Sequence, residues 1–143
     1  EHNLRSGTEN VAACVGFAKA LQLVQTKRHQ EGKRLQKIQQ DFLQQLPEVW
    51  RLNGSNSQRL PNNLHITFPG ADNERLLIQL EMAGILAAAG SACSASKDEP
   101  SHVLKAMGLS DQDAQASLRF TMGKTTTGAE LTKLLKTLVK LLS

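Results

Sequence analysis

From Val11 to Phe42 apolar side chains recur at helical spacing, first Val11, Val15, Ala18, Leu21 and Val24, then Leu35, Ile38 and Phe42. This spacing predicts one long helix from residue 10 to about 46, ended by Pro47. Between the two apolar stretches, "QTKRHQEGKR" holds no strong apolar residue and contains Gly32, so the middle is expected to stand in water or bend. Cys14 falls on the apolar side of the first half and reads as a buried packing residue.

The rest of the chain alternates between strand and helix patterns. "VWRLNG" reads as a short strand closed by Asn53-Gly54. "GSNSQRLPNN" is a polar connector. "NLHITF" alternates Leu64, Ile66 and Phe68 with polar residues, which predicts a strand with one buried face and His65 as filler on the other. "DNERLLIQLEMAG" predicts a helix with Asp72 as N-cap and Gly84 near its end. "ILAAA" is expected to be a short buried strand. "EPSHVLKAMG" reads as a short helix, with Pro100 in its first turn and Gly108 as its stop. "SLRFTMG" alternates again as a strand, and "TGAELTKLLKTLVKLLS" closes the chain as an amphipathic helix. The fold class that follows is α+β, a small, mostly antiparallel sheet with helices packed on one face and a long N-terminal helix.

Composition narrows the function classes. The net charge of +4 gathers in Lys27, Arg28, Lys33, Arg34 and Lys37, beside Glu31 and Asp41, the pattern of a solvated helix face. With four Phe, one Trp and no Tyr, the chain lacks the aromatic platforms that stack bases, so no nucleic-acid partner is expected. No apolar run approaches the roughly 18 residues of a membrane helix, so no membrane partner is expected either. Two cysteines in such different settings do not form a disulfide framework, which points to a reducing, cytoplasmic location. The chain opens on Glu1 in mid-motif and reads as a piece of a longer protein.

The second cysteine has the least structural setting. Cys93 lies in "AAAGSACSASKDEPSHVL", among Gly, Ser and Ala, ahead of charged residues and a proline. Such a run suits an exposed loop carrying a reactive thiol.

Three segments, "LRSGTEN", "GSACSASKDEPSHVLKAMG" and "SLRFTMGKTTT", together resemble the C-terminal third of cysteine desulfurases. These are pyridoxal-phosphate enzymes of the class V aminotransferase group. "RLPNNLHITFPG" is similar to the family's LPxNLxxSF strand. The resemblance spans nearly the whole chain. It implies the C-terminal domain of a fold-type I enzyme, with residues 1–9 entering from a large domain and residues 10–143 forming the small domain with the cysteine loop. It also implies the activity, removal of sulfur from L-cysteine to give L-alanine and an enzyme persulfide for iron–sulfur cluster or thio-cofactor synthesis.

By that resemblance Cys93 is the nucleophile. The thiolate is the attacking species, and small neighbours let the loop move between cofactor and acceptor. Arg119 is the residue that grips the substrate carboxylate, its planar fork suited to a bidentate contact. Thr8 is the threonine that reaches the cofactor phosphate of the partner subunit, with Arg5 supporting its loop, so a homodimer and a sulfur-acceptor protein are implied partners. No resident metal site is implied; Cys93 is the residue expected to meet a transient iron–sulfur species. His102 is assigned to packing and Lys124 to no role.

The sequence departs from the family where "EHNLR" replaces the more usual Glu-Arg-Gly-x-Arg, and no Ser-x-His-Lys segment with the Schiff-base lysine is present. The chain by itself is therefore expected to be inactive and to hold no covalent pyridoxal phosphate. A stand-alone sulfur-carrier or scaffold-binding module that needs no cofactor is the alternative the sequence leaves open.

Overall fold

A computed structural model describes residues 6–90 and 100–143. Cys93 and Arg5 lie outside the described residues. A three-stranded antiparallel sheet in the order β1-β2-β3 joins Arg51–Leu52 (β1), Asn63–Thr67 (β2) and Ser117–Thr121 (β3). Five helices accompany it: α1 (Val11–Leu43), α2 (Asn73–Met82), α3 (His102–Ala106), α4 (Asp111–Gln115) and α5 (Gly128–Leu142).

Register explains the two-faced sheet. Leu52 faces Ile66 and Ile66 faces Leu118, while Leu64 faces Phe120. Side chains directly opposite in an antiparallel pair share one face, and these five form the floor of the core. Leu64, Ile66 and Leu118 have no exposed surface, and Trp50 and Phe120 meet Phe68 edge to face at 5.0 and 6.4 Å. Leu35 and Phe42 of α1, Leu76 and Leu80 of α2, and Leu131, Leu134 and Leu138 of α5 close over this floor. Each fully buried leucine or isoleucine contributes about 1.5–3 kcal/mol by burial. The expected α+β class, with helices covering one face, is the observed one.

The helix termini follow local chemistry. Asp72 accepts from the backbone N–H groups of Glu74 and Arg75, both at 3.0 Å, and Gly84 takes φ +74°, the left-handed turn that ends α2. Thr127 and Glu130 form a reciprocal cap on α5: the Thr127 hydroxyl accepts from Glu130 N at 3.3 Å, and Glu130 Oε2 accepts from Thr127 N at 2.7 Å.

Residues 11–43 are one unbroken helix whose middle stands in water, one of the two outcomes the sequence left open, and residues 11–30 are exposed throughout. The chain differs from its sequence pattern in four places. Cys14 is consequently exposed rather than buried, because its apolar stripe has no partner among the described residues. "ILAAA" makes only one bridge residue, Ala88, since a run of small side chains gives a ladder little to pack. Pro100 precedes the N-cap Ser101 instead of entering the first turn of α3. Helix α4 is additional: Ser110 caps it by accepting from Asp113 N at 3.1 Å.

Only the C-terminal third of α1 is held. Arg34 donates from Nη1 to the Thr126 carbonyl at 2.6 Å while pairing with Glu31, and Gln39 Nε2 donates to the Asn63 carbonyl at 2.9 Å. These bonds fix α1 against the β3–α5 turn and the start of β2.

Candidate functional site

The face of the sheet opposite the core is polar, and the register places one row of side chains across it. His65 of β2 is opposite Arg119 of β3. Asn53, the residue after β1, donates its N–H to the His65 carbonyl at 2.8 Å and so continues the row on one side. On the other side Ala88 bridges Arg119, with Arg119 N to Ala88 O at 2.7 Å and Ala88 N to Arg119 O at 3.0 Å. Asn53, His65, Arg119 and Ala88 therefore stand in line.

A buried hydroxyl–amide cluster orients the imidazole. Thr67 Oγ1 donates to Asn53 Oδ1 at 3.0 Å and lies 2.8 Å from Ser117 Oγ. Asn53 Nδ2 lies within hydrogen-bond distance of His65 Nδ1, at 2.9 Å, and donates to Ser117 Oγ at 3.3 Å. Ser117 Oγ in turn donates to the Asp113 carbonyl of α4 at 2.6 Å, and Arg51 pairs with the Asp113 carboxylate. Burial, then the charges of Arg119 and Arg59, push the His65 pKa from 6.5 down to about 4, so the ring is neutral at physiological pH.

Arg59 belongs to the same neighbourhood. Its Nη2 donates to the Asn53 carbonyl at 3.3 Å, while Nε and Nη1 are buried and make no hydrogen bond. Burial also lowers its pKa. Arg119 Nε is likewise buried without a partner. Among the described residues the ion pairs are Glu31–Arg34, Arg51–Asp113 and Lys105–Asp111, so neither Arg59 nor Arg119 is neutralised by a carboxylate there. Buried guanidinium donors that lack acceptors are costly, and an anionic ligand would satisfy them.

Of the sequence candidates, Arg119 is at the centre of this row. Two residues after Ala88, Gly90 has room for no more than van der Waals contact with Ser101, whose Cβ lies 3.7 Å from where a Gly90 Cβ would stand; the predicted cysteine loop between them lies outside the described residues. Thr8 is elsewhere. It is exposed, two residues ahead of the N-cap Asn10, and the helix carries it roughly 36 Å along α1 from the first core residue, Leu35. Within one chain Thr8 and Arg119 are not brought together. His102 is exposed. Asn53 and Arg59 were not singled out from the sequence; only the strand register reveals that they adjoin His65 and Arg119. No cluster of His, Cys, Asp and Glu suited to a metal occurs among the described residues, and no helix there is long and apolar enough to cross a membrane.

The family model described as aminotransferase class V matches residues 1–134. The chain belongs to the class-V aminotransferase family. Within that family it is similar to curated cysteine desulfurases: 39% identical over 140 residues to cysteine desulfurase IscS 1 of Archaeoglobus fulgidus, covering 96% of this chain and 37% of the relative. It is 38% identical over 146 residues to cysteine desulfurase IscS of Dictyoglomus turgidum, covering 99% and 37%. Among solved structures, a NifS-like protein from Rickettsia africae superposes with TM-score 0.82 at 28% identity, over 96% of this chain and 36% of that one. A second NifS-like protein gives 0.80 at 28% identity, over 97% and 35%. The chain thus spans little more than a third of the class-V relatives it matches.

Proposed function

We propose that this chain is the C-terminal small domain of a cysteine desulfurase, supplying the carboxylate clamp Arg119 and the sulfur-accepting Cys93 to a larger pyridoxal-phosphate enzyme. The observation that carries this reading is the buried, unpaired Nε of Arg119 on a strand fixed to Ala88, five residues before Cys93 in the sequence. Relatives about 2.7 times as long support a further domain, as does α1, whose exposed Val11, Val15, Leu21 and Val24 suit a helix packed on more chain.

Toward a phosphorylated cofactor the chain offers Thr8, an exposed hydroxyl that suits a phosphate held from the neighbouring subunit. The lysine that anchors the cofactor would come from outside this chain. Bound pyridoxal phosphate supplies an electron sink that weakens the substrate's carbon–sulfur bond. Arg119 holds the substrate carboxylate through its fork, fixing which bond faces the sink. The Cys93 thiolate attacks the substrate sulfur: a sulfur–sulfur bond forms, the carbon–sulfur bond breaks, and its electron pair stays with carbon. That carbon takes a proton from solvent, releasing L-alanine and leaving Cys93 as a persulfide for an acceptor protein. Partners are L-cysteine, a second copy of the enzyme and that acceptor, in the cytoplasm.

In the full-length enzyme Arg119→Ala should lower kcat/KM for L-cysteine by roughly a hundredfold or more, as expected when one partner of a desolvated charge pair is removed. Cofactor absorbance should be unchanged. Unaltered KM and kcat in this variant would refute the clamp.

A further inference from the structure

We infer that His65, held in place by Asn53, is a positioning residue that bounds the side chain of Arg119 from the neighbouring strand. This deepens, and rests on, the proposed role of Arg119. The backbone bonds carry the argument. Arg119 spends both its N–H and its C=O on Ala88, at 2.7 and 3.0 Å, and the His65 C=O accepts from Asn53 N at 2.8 Å. Each residue thus turns its polar backbone groups away from the other, although their Cα atoms are partners in the β2–β3 register. They form a non-hydrogen-bonded pair, the class in which opposite Cα atoms stand about 4.5 Å apart and side chains come closest.

The other ladder neighbours of Arg119 are small. Ala88 offers a methyl across the wider, hydrogen-bonded pair, and Ser117 and Thr121 share its face along β3. Of the four residues in the row, His65 alone carries a ring. That ring is anchored. Asn53 Nδ2 lies 2.9 Å from His65 Nδ1, and Asn53 is itself buried, bonded to Thr67 Oγ1 at 3.0 Å and to Ser117 Oγ at 3.3 Å. With a pKa of about 4 the imidazole is neutral near physiological pH, so it bounds the guanidinium without repelling it. His65 would then narrow the directions open to the Arg119 fork without touching the reacting sulfur.

The test uses the full-length enzyme with its cofactor bound. Cofactor absorbance reads the Kd of L-alanine and, beside it, that of ethylamine, the same amine without the carboxylate. His65→Ala should weaken L-alanine binding about fivefold, the upper size of a cross-strand pair, and leave ethylamine unchanged. His65→Phe returns a neutral ring and should restore most of the loss. Asn53→Ala keeps the ring but frees it, and should show a smaller, equally carboxylate-selective loss, which decides the matter even where His65→Ala fails to fold. In an Arg119→Ala background His65→Ala should change neither Kd, because its effect passes through Arg119. Equal weakening of both amines, a loss that persists without Arg119, or wild-type L-alanine binding in His65→Ala or in Asn53→Ala would overturn the positioning role and leave the clamp standing. If Arg119→Ala itself binds L-alanine at the wild-type Kd, the clamp and the positioning role fall together.

Discussion

Lowering the pH from 7 to 5 should destabilise this domain through His65. The imidazole has a pKa of about 4 in the folded chain and 6.5 when unfolded. Above pH 6.5 the ring is neutral in both states and the fold keeps its full stability. As the pH falls below 6.5 the unfolded chain takes up the proton first, and stability is lost until the folded ring also titrates near pH 4. For a group sealed from water, a pKa displaced from 6.5 to about 4 corresponds to about 3.4 kcal/mol. His65 is half-buried, and contact with solvent reduces this to roughly 1–2 kcal/mol, of which about 1 kcal/mol is gone by pH 5.

The assay is urea unfolding at pH 7, 6 and 5, beside His65→Asn, which keeps an oxygen to accept from Asn53 Nδ2. Glu31 and Glu130 are held below 4.5 by Arg34 and by the Thr127 cap. Their contributions are present above 4.5 and decline only below it, so they do not enter this window. The wild-type midpoint should fall between pH 7 and 5 while that of His65→Asn stays level. Equal losses in both would refute the burial of His65 beside Arg119 and Arg59 as the cause of its lowered pKa.

Two further outcomes follow from the geometry. Thr127→Ala removes one half of the reciprocal cap on α5, the helix that supplies Leu131, Leu134 and Leu138 to the core, and should cost about 1 kcal/mol, a Tm drop of about 4 °C by calorimetry. In the full-length enzyme Arg119→Lys should recover little of the kcat/KM lost in Arg119→Ala, because a point charge does not reproduce the planar fork.

The alternations in "NLHITF" and "SLRFTMG" made the sheet legible, since a period of two assigns a face to each side chain before any partner is known. The capped helices α2 and α5 were equally legible, from Asp72 and from the apolar spacing after Gly128. Helix α4 was not, because five residues with one buried side chain, Ala114, show no period. Cys14 was misread for a different reason. Its stripe is apolar, but burial depends on what packs there, and α1 carries the stripe away from this domain.

At the site, the sequence pointed to Arg119 through a resemblance but left His65 as filler and Arg59 in a connector. Face assignment is local, whereas the row from Asn53 to Ala88 depends on register between segments up to 66 positions apart, as Asn53 and Arg119 are. No spacing rule within one segment contains that information.

The most direct test of the central claim is mass spectrometry of the full-length enzyme after brief reaction with L-cysteine, without reductant and with alkylation of free thiols. The peptide containing Cys93 should gain the mass of one sulfur atom, the peptide containing Cys14 should not, and alanine should appear in equal amount. Cys93→Ala should abolish the gain with cofactor still bound, while Cys14→Ala should leave it intact. Sulfur found on Cys14, or alanine produced at the normal rate by Cys93→Ala, would contradict the account.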